Sequence, residues 1–151
     1  ASDRKGAYNL YRKASNGTGT EELLLEDSQS KTPTSISRDG KLLLYSRADE
    51  KTQNDVWSLP VQTPGAKMEP HAFLQTPFPE LRGRFSPDGQ WLVFESMDGN
   101  SNRDIYFMSA TGSGRTRLTN DPKIDFDPAW NSGFPILALM AVRMPRARFS
   151  P

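Results

Sequence analysis

The feature that most constrains this chain is that it repeats itself. Residues 37–45, Ser-Arg-Asp-Gly-Lys-Leu-Leu-Leu-Tyr, line up with residues 86–94, Ser-Pro-Asp-Gly-Gln-Trp-Leu-Val-Phe, at a shift of 49 positions. The same shift carries Asp49 onto Asp98 and residues 55–59 onto 104–108. A third, partial copy places Asn9-Leu10-Tyr11 at 95 positions before Asp104-Ile105-Tyr106. That offset also superposes Gly17, Gly19, Leu23 and Pro33 on Gly112, Gly114, Leu118 and Pro128. A period of this size belongs to repeat architectures, in which each unit buries its faces against its neighbours.

Each unit reads as short strands. Asp39-Gly40 and Asp88-Gly89 stand between apolar runs, and Asp-Gly in that setting predicts a tight primed hairpin turn. The runs that follow, 42–45 and 91–94, are apolar throughout rather than alternating. Successive strand residues point to opposite faces, so such a run predicts a sheet covered on both sides. A polar turn then leads to strands at 55–59 and 104–109, and a last strand is expected at 115–119. Eleven Gly and twelve Pro, spread along the chain, leave few windows for an uninterrupted amphipathic helix. The expected class is all-β: a β-propeller of four-stranded blades packed face to face, about three to the chain.

Composition limits the chemistry. The chain has no cysteine, which excludes disulfides, a thiolate nucleophile and cysteine-ligated metal sites, and it has a single histidine. A net charge of +1 gives no strong global field to attract nucleic acid or an anionic membrane surface. The longest apolar stretch, 134–142, is too short to cross a bilayer as a helix, so no membrane insertion is expected. Aromatic residues make up 10% of the chain, which argues for a packed interior. Trp57, Tyr106 and Tyr11 share one repeated position and are read as packing between blades.

Arg84-Phe85-Ser86-Pro87-Asp88-Gly89, the strand ending Phe94-Glu95-Ser96, then Asp104-Ile105-Tyr106 and Arg117-Leu118-Thr119 together resemble the WD-like propeller repeat of the TolB type. Asp127-Pro128-Ala129-Trp130 resembles the start of the next unit. Similar repeats occur in bacterial propellers attached to serine/threonine kinases and to serine peptidases, where the propeller binds or gates. The resemblance implies a scaffold that recognises a protein or peptide at its rim or channel mouth, and an extracytoplasmic, periplasmic location. No kinase glycine loop and no Gly-x-Ser-x-Gly elbow is present.

On this reading residues 1–133 hold the propeller repeats: a half blade over 1–30, blades over 31–79 and 80–124, and the start of another over 125–133. Residues 134–151 form a divergent tail. After Trp130 the repeat expects Ser-Pro-Asp-Gly, and the chain has Asn131-Ser132-Gly133 instead. The tail either supplies a closing strand at 136–142 before its basic end or was never shaped for this fold. Counted as strands, the two ends supply the halves of one further blade. Since rings need about four blades or more, a homodimer closing a six-bladed ring is the expected assembly.

Ligands would bind where the loops entering the innermost strands converge, at 26–31, 75–81 and 120–127. Glu80, Arg82 and Arg84 enter an innermost strand, and arginines there suit carboxylate or phosphate groups. Asp121, Asp125 and Asp127 are candidate oxygen ligands for Ca²⁺ or Mg²⁺, set against aspartates that merely cap their own turns. His71, with Asp125 and Asp127, is the catalytic candidate for the alternative reading. That alternative is a metal-assisted hydrolase of esters, lactones or phosphotriesters at the central channel. The leading expectation is a binding module without a self-contained catalytic set.

Overall fold

The computed structural model describes residues 1–61, 68–97, 102–120, 122–131 and 137–138. Every described regular element is a strand, and all pairings are antiparallel. The first sheet holds β1 (Ser2–Lys5), β2 (Ala7–Arg12) and β3 (Glu22–Leu25), in that order. The second runs β4 (Lys31–Ile36), β5 (Leu42–Asp49), β6 (Gln53–Pro60), β7 (His71–Leu74). The third repeats this order with β8 (Glu80–Phe85), β9 (Trp91–Ser96), β10 (Asp104–Ser109) and β11 (Thr116–Arg117). β12 (Ala129–Trp130) pairs with β13 (Leu137–Ala138).

The hairpins between β4 and β5 and between β8 and β9 are built alike from the repeated Ser-x-Asp-Gly. Ser37 Oγ donates to Asp39 Oδ1 (2.6 Å) and accepts from Leu42 N (2.9 Å). Ser86 Oγ does the same with Asp88 (2.5 Å) and Trp91 N (2.9 Å). Gly40 N and Gly89 N each donate to the serine carbonyl three residues back. Only the glycines have positive φ, +71° at Gly40 and +76° at Gly89. The turn is therefore a four-residue turn with glycine at its end, and the two-residue primed turn expected from Asp-Gly is not formed. The serine hydroxyl, by holding both the aspartate and the first residue of the next strand, widens the loop.

The apolar runs are buried on both faces because each strand serves two seams. Leu44 packs with Val56, Leu92, Phe94, Tyr106 and Met108 in a cluster between the second and third sheets. Its neighbour Tyr45 points the other way, into a cluster with Leu10 and Leu59 between the first and second. Each fully buried side chain of this kind contributes roughly 1.5–3 kcal/mol. Tyr106 is buried in the first of these clusters and Trp57 packs against the second, as packing residues.

The first sheet differs from expectation. Two strands were expected at its position, but β1 adds to the edge of β2, with Ser2 opposite Asn9 and Lys5 opposite Ala7. β1 stands where β5 and β9 stand in their sheets. The strand expected at 136–142 for that place is described only at Leu137–Ala138, where it pairs with β12.

Candidate functional site

The innermost strands are β4, β8 and β12, and they are tied to one another around the axis. Thr34 Oγ1 donates to the Gly83 carbonyl (2.7 Å), and Phe85 N donates to Ser35 Oγ (3.2 Å). Trp130 Nε1 donates to the Arg84 carbonyl (2.9 Å). Both β4 and β8 carry a register irregularity, between Pro33 and Ser35 and between Leu81 and Arg84. At the second of these Arg82 adopts φ +52°, and Asp127, the matching residue ahead of β12, adopts φ +54°. Non-glycine residues held in the left-handed region are strained by about 1–3 kcal/mol, and such strain gathers where side chains must be aimed.

What holds them is Glu95, which is fully buried near the end of β9. Its oxygens accept two bonds from Arg82 Nη1 (2.9 and 3.0 Å) and one from the backbone N–H of Asp127 (2.8 Å). Arg103 Nη1 lies 3.3 Å away. The bonds to Glu95 raise the guanidinium pKa of Arg82 above its ordinary value. Asp127 is 3.3 Å from Arg82 Nε and 3.9 Å from Arg84 Nη2. The cluster therefore sets three arginines against two carboxylates, with Arg84 the least engaged. Its side chain is 40% exposed, and its Nε has no hydrogen-bond partner among the described residues.

The sequence candidates fall in several places. Arg82 and Arg84 share β8 and meet Asp127. Glu80 begins the same strand but is fully buried, accepting bonds from Thr76 and lying 3.6 Å from Arg115. Asp125 is buried, its N–H donates to the Arg103 carbonyl (2.8 Å), and its Oδ2 has no partner among the described residues. His71 opens the outer strand β7 and is exposed, at the opposite edge of its sheet from the innermost strand. Asp121 lies outside the described residues. Among the described residues no three His, Asp or Glu side chains gather around one point that could hold a metal ion. A cation at Asp127 would have to compete with two arginines for the same oxygen.

Glu95 and Arg103 were not anticipated as site residues. A signal was there for Glu95: at the 49-residue shift it replaces Ser46, placing a charge directly after the apolar run 91–94. A buried charge demands a partner, which here is Arg82.

Repeated four-stranded antiparallel sheets joined through their inner strands define a β-propeller repeat protein. Its repeats are of the TolB type. Over 48 residues the chain is 48% identical to the Tol-Pal system protein TolB of Anaeromyxobacter dehalogenans strain 2CP-C, a match covering 32% of this chain. The TolB proteins of A. dehalogenans strain 2CP-1 and of Anaeromyxobacter sp. strain K are each 46% identical over 48 residues. The match spans only 11% of the length of each of these relatives. Among solved structures, one described as a TolB from Agrobacterium tumefaciens superposes with a TM-score of 0.69 at 22% identity. It covers 85% of this chain and 44% of that one. TolB from Acinetobacter baumannii gives 0.58 at 22% identity, over 72% of this chain and 26% of its own. No protein-family profile matches the chain.

Proposed function

We propose that this chain is a binding scaffold, with a protein or peptide seated at the channel mouth against Arg84 and Arg82. The observation that carries this reading is Arg84, whose side chain is 40% exposed on an innermost strand and is paired only at 3.9 Å, with Asp127. The exposed end of a guanidinium takes a carboxylate in a two-pronged grip. The loops entering β8 and β12 add exposed apolar side chains, Phe78 and Ile124. The fitting partner is thus a peptide that pairs an acidic residue with an aliphatic or aromatic one. A periplasmic setting follows from the likeness to Tol-Pal system proteins and is proposed on that ground alone.

The metal-assisted hydrolase draws no support from this geometry, because Asp127 faces arginines and His71 sits on an outer strand. A homodimeric six-bladed ring remains a proposal of its own. β1 already occupies the edge of β2 that a second copy's strand would use, so such closure requires β1 to give way. A solution mass of twice 16.9 kDa supports the dimer, and a folded monomer overturns it.

The binding reading is tested by calorimetric titration with a panel of such peptides. Arg84→Ala should weaken binding by about tenfold or more with the unfolding temperature unchanged. Equal affinity in Arg84→Ala and in Phe78→Ser would place the contact elsewhere.

A further inference from the structure

The repeat brings two residues together at each seam between sheets: the residue near the start of the third strand of one, and the first residue of the innermost strand of the next. At the seam between the first and second sheets these are Asn9 and Lys31. Lys31 is fully buried, and its ammonium donates to Asn9 Oδ1 (3.1 Å) and the Gln29 carbonyl (2.5 Å). It also pairs with Asp27 Oδ1 at 2.6 Å. The charge there is answered.

At the next seam the matching residues, at the same places in the repeat, are Asp55 and Glu80, both fully buried. A carboxylate stands in the place of an ammonium, close enough to a second buried carboxylate for the charge of Asp55 to act on Glu80. The two bracket the β7–β8 connection: Gln75 Nε2 donates to Asp55 Oδ2 (3.0 Å), and Thr76 donates to Glu80 through its N–H (3.3 Å) and its hydroxyl. Thr52 Oγ1 also donates to Asp55 Oδ2 (2.7 Å), whereas Asp55 Oδ1 has no partner among the described residues. The remaining charged groups facing the pair are Arg47 and Asp49 of β5 beside Asp55, and Arg115 beside Glu80. Both cations are shared with other groups. Arg47 lies 4.5 Å over the Trp57 ring and 3.3 Å from Asp27. Arg115 lies 4.5 Å over the Tyr106 ring and donates to Ser96 Oγ (2.8 Å).

We propose that this seam is a proton-operated latch, in which the buried Asp55–Glu80 pair joins the second and third sheets most firmly when it carries a proton. The proton removes the repulsion between the two acids and turns a desolvated, unpartnered oxygen into a neutral group. Since β8 begins at Glu80 and runs on to Arg82 and Arg84, the latch also sets how firmly the arginine-bearing strand is seated. Burial is the first cause that raises both carboxyl pKa values, and for Glu80 the charge of Asp55 adds to it. The folded protein therefore binds more protons than the unfolded chain above the ordinary carboxylate range. The pair's contribution to stability is fully present below that range and is lost as pH rises through the raised values.

The test is thermal unfolding of the whole chain in chelator-treated buffers from about pH 5 to about pH 8. The melting temperature should fall across that range by about 3 °C or more. Asp55→Asn, which copies Asn9 of the first seam, and Glu80→Gln should each flatten the profile. A flat wild-type profile, or a slope unchanged in both variants, overturns the latch. If neither variant folds, the infrared band of a protonated carboxyl decides, read in Asp104→Asn so that the other buried acid of raised pKa does not contribute: present above the ordinary carboxylate range and lost at higher pH, it supports the latch, and absent above that range, it overturns it. Added Ca²⁺ or Mg²⁺ that restores the melting temperature at pH 8 would overturn the proton reading in favour of a cation in the place of Lys31.

Discussion

Gly83 of β8 and Val56 of β6 are packed so closely across the seam between the second and third sheets that a Cβ on Gly83 would stand 2.9 Å from Val56 Cγ1. The same Cβ would lie 3.4 Å from Cγ2 and 3.6 Å from Leu92 Cδ1. Val56 is a branched residue fixed in the core cluster, so it cannot swing away as a flexible chain end would. Absence of a side chain at position 83 is what lets an innermost strand lie flat on the preceding blade.

Gly83→Ala should therefore push the two sheets apart rather than be absorbed locally. The expected loss is about 1–3 kcal/mol, the usual cost of overpacking. Urea unfolding monitored through the tryptophans measures it directly. The double variant Gly83→Ala with Val56→Ala should recover part of the close-approach cost and so show strong non-additivity.

Glu95→Gln keeps the shape of the side chain and removes its charge. Arg82 and the Asp127 N–H would lose a charged acceptor that both now share. Stability should fall by about 1–3 kcal/mol. Faster amide exchange at Asp127 should mark the release of the strained turn before the rest of the chain loosens. Unaltered exchange at Asp127 would show that Glu95 does not hold that turn.

Tyr45 is fully buried, and its hydroxyl has no hydrogen-bond partner among the described residues. Burial pushes the phenol up to about 12. The folded chain thus keeps a proton that the unfolded chain gives up near pH 10, so this contribution is whole below pH 10 and is lost between about 10 and about 12. Ultraviolet titration should show one tyrosine ionising only at the upper end of that window, and that signal should vanish in Tyr45→Phe. The same variant should match or exceed the wild type in stability at neutral pH, since it removes an unanswered hydroxyl.

Local chemistry carried much of the architecture. The unbroken apolar runs and the Ser-x-Asp-Gly turns each act over fewer than ten residues, and the 49-residue shift repeats them along the chain, so they are legible without a fold. The turn type was misjudged because the serine two residues ahead of the aspartate, not the Asp-Gly pair, organises the loop. β1 was missed because Ser2–Lys5 is polar and forms only by adding to the edge of β2. Arg82 and Arg84 were legible as inner-strand arginines, but which of them is engaged was not.

The sequence by itself determined the period, the strand content and the two-faced burial of the blades, because all three follow from side-chain alternation and turn chemistry within one repeat. Only the tertiary structure decided what the charges do. Asp127 reaches Glu95 across 32 positions, Trp130 reaches Arg84 across 46, and Thr34 reaches Gly83 across 49. Contacts of that range depend on which blades lie side by side, and they alone leave Arg84 exposed with an unpartnered donor and the charge of Asp55 acting on Glu80.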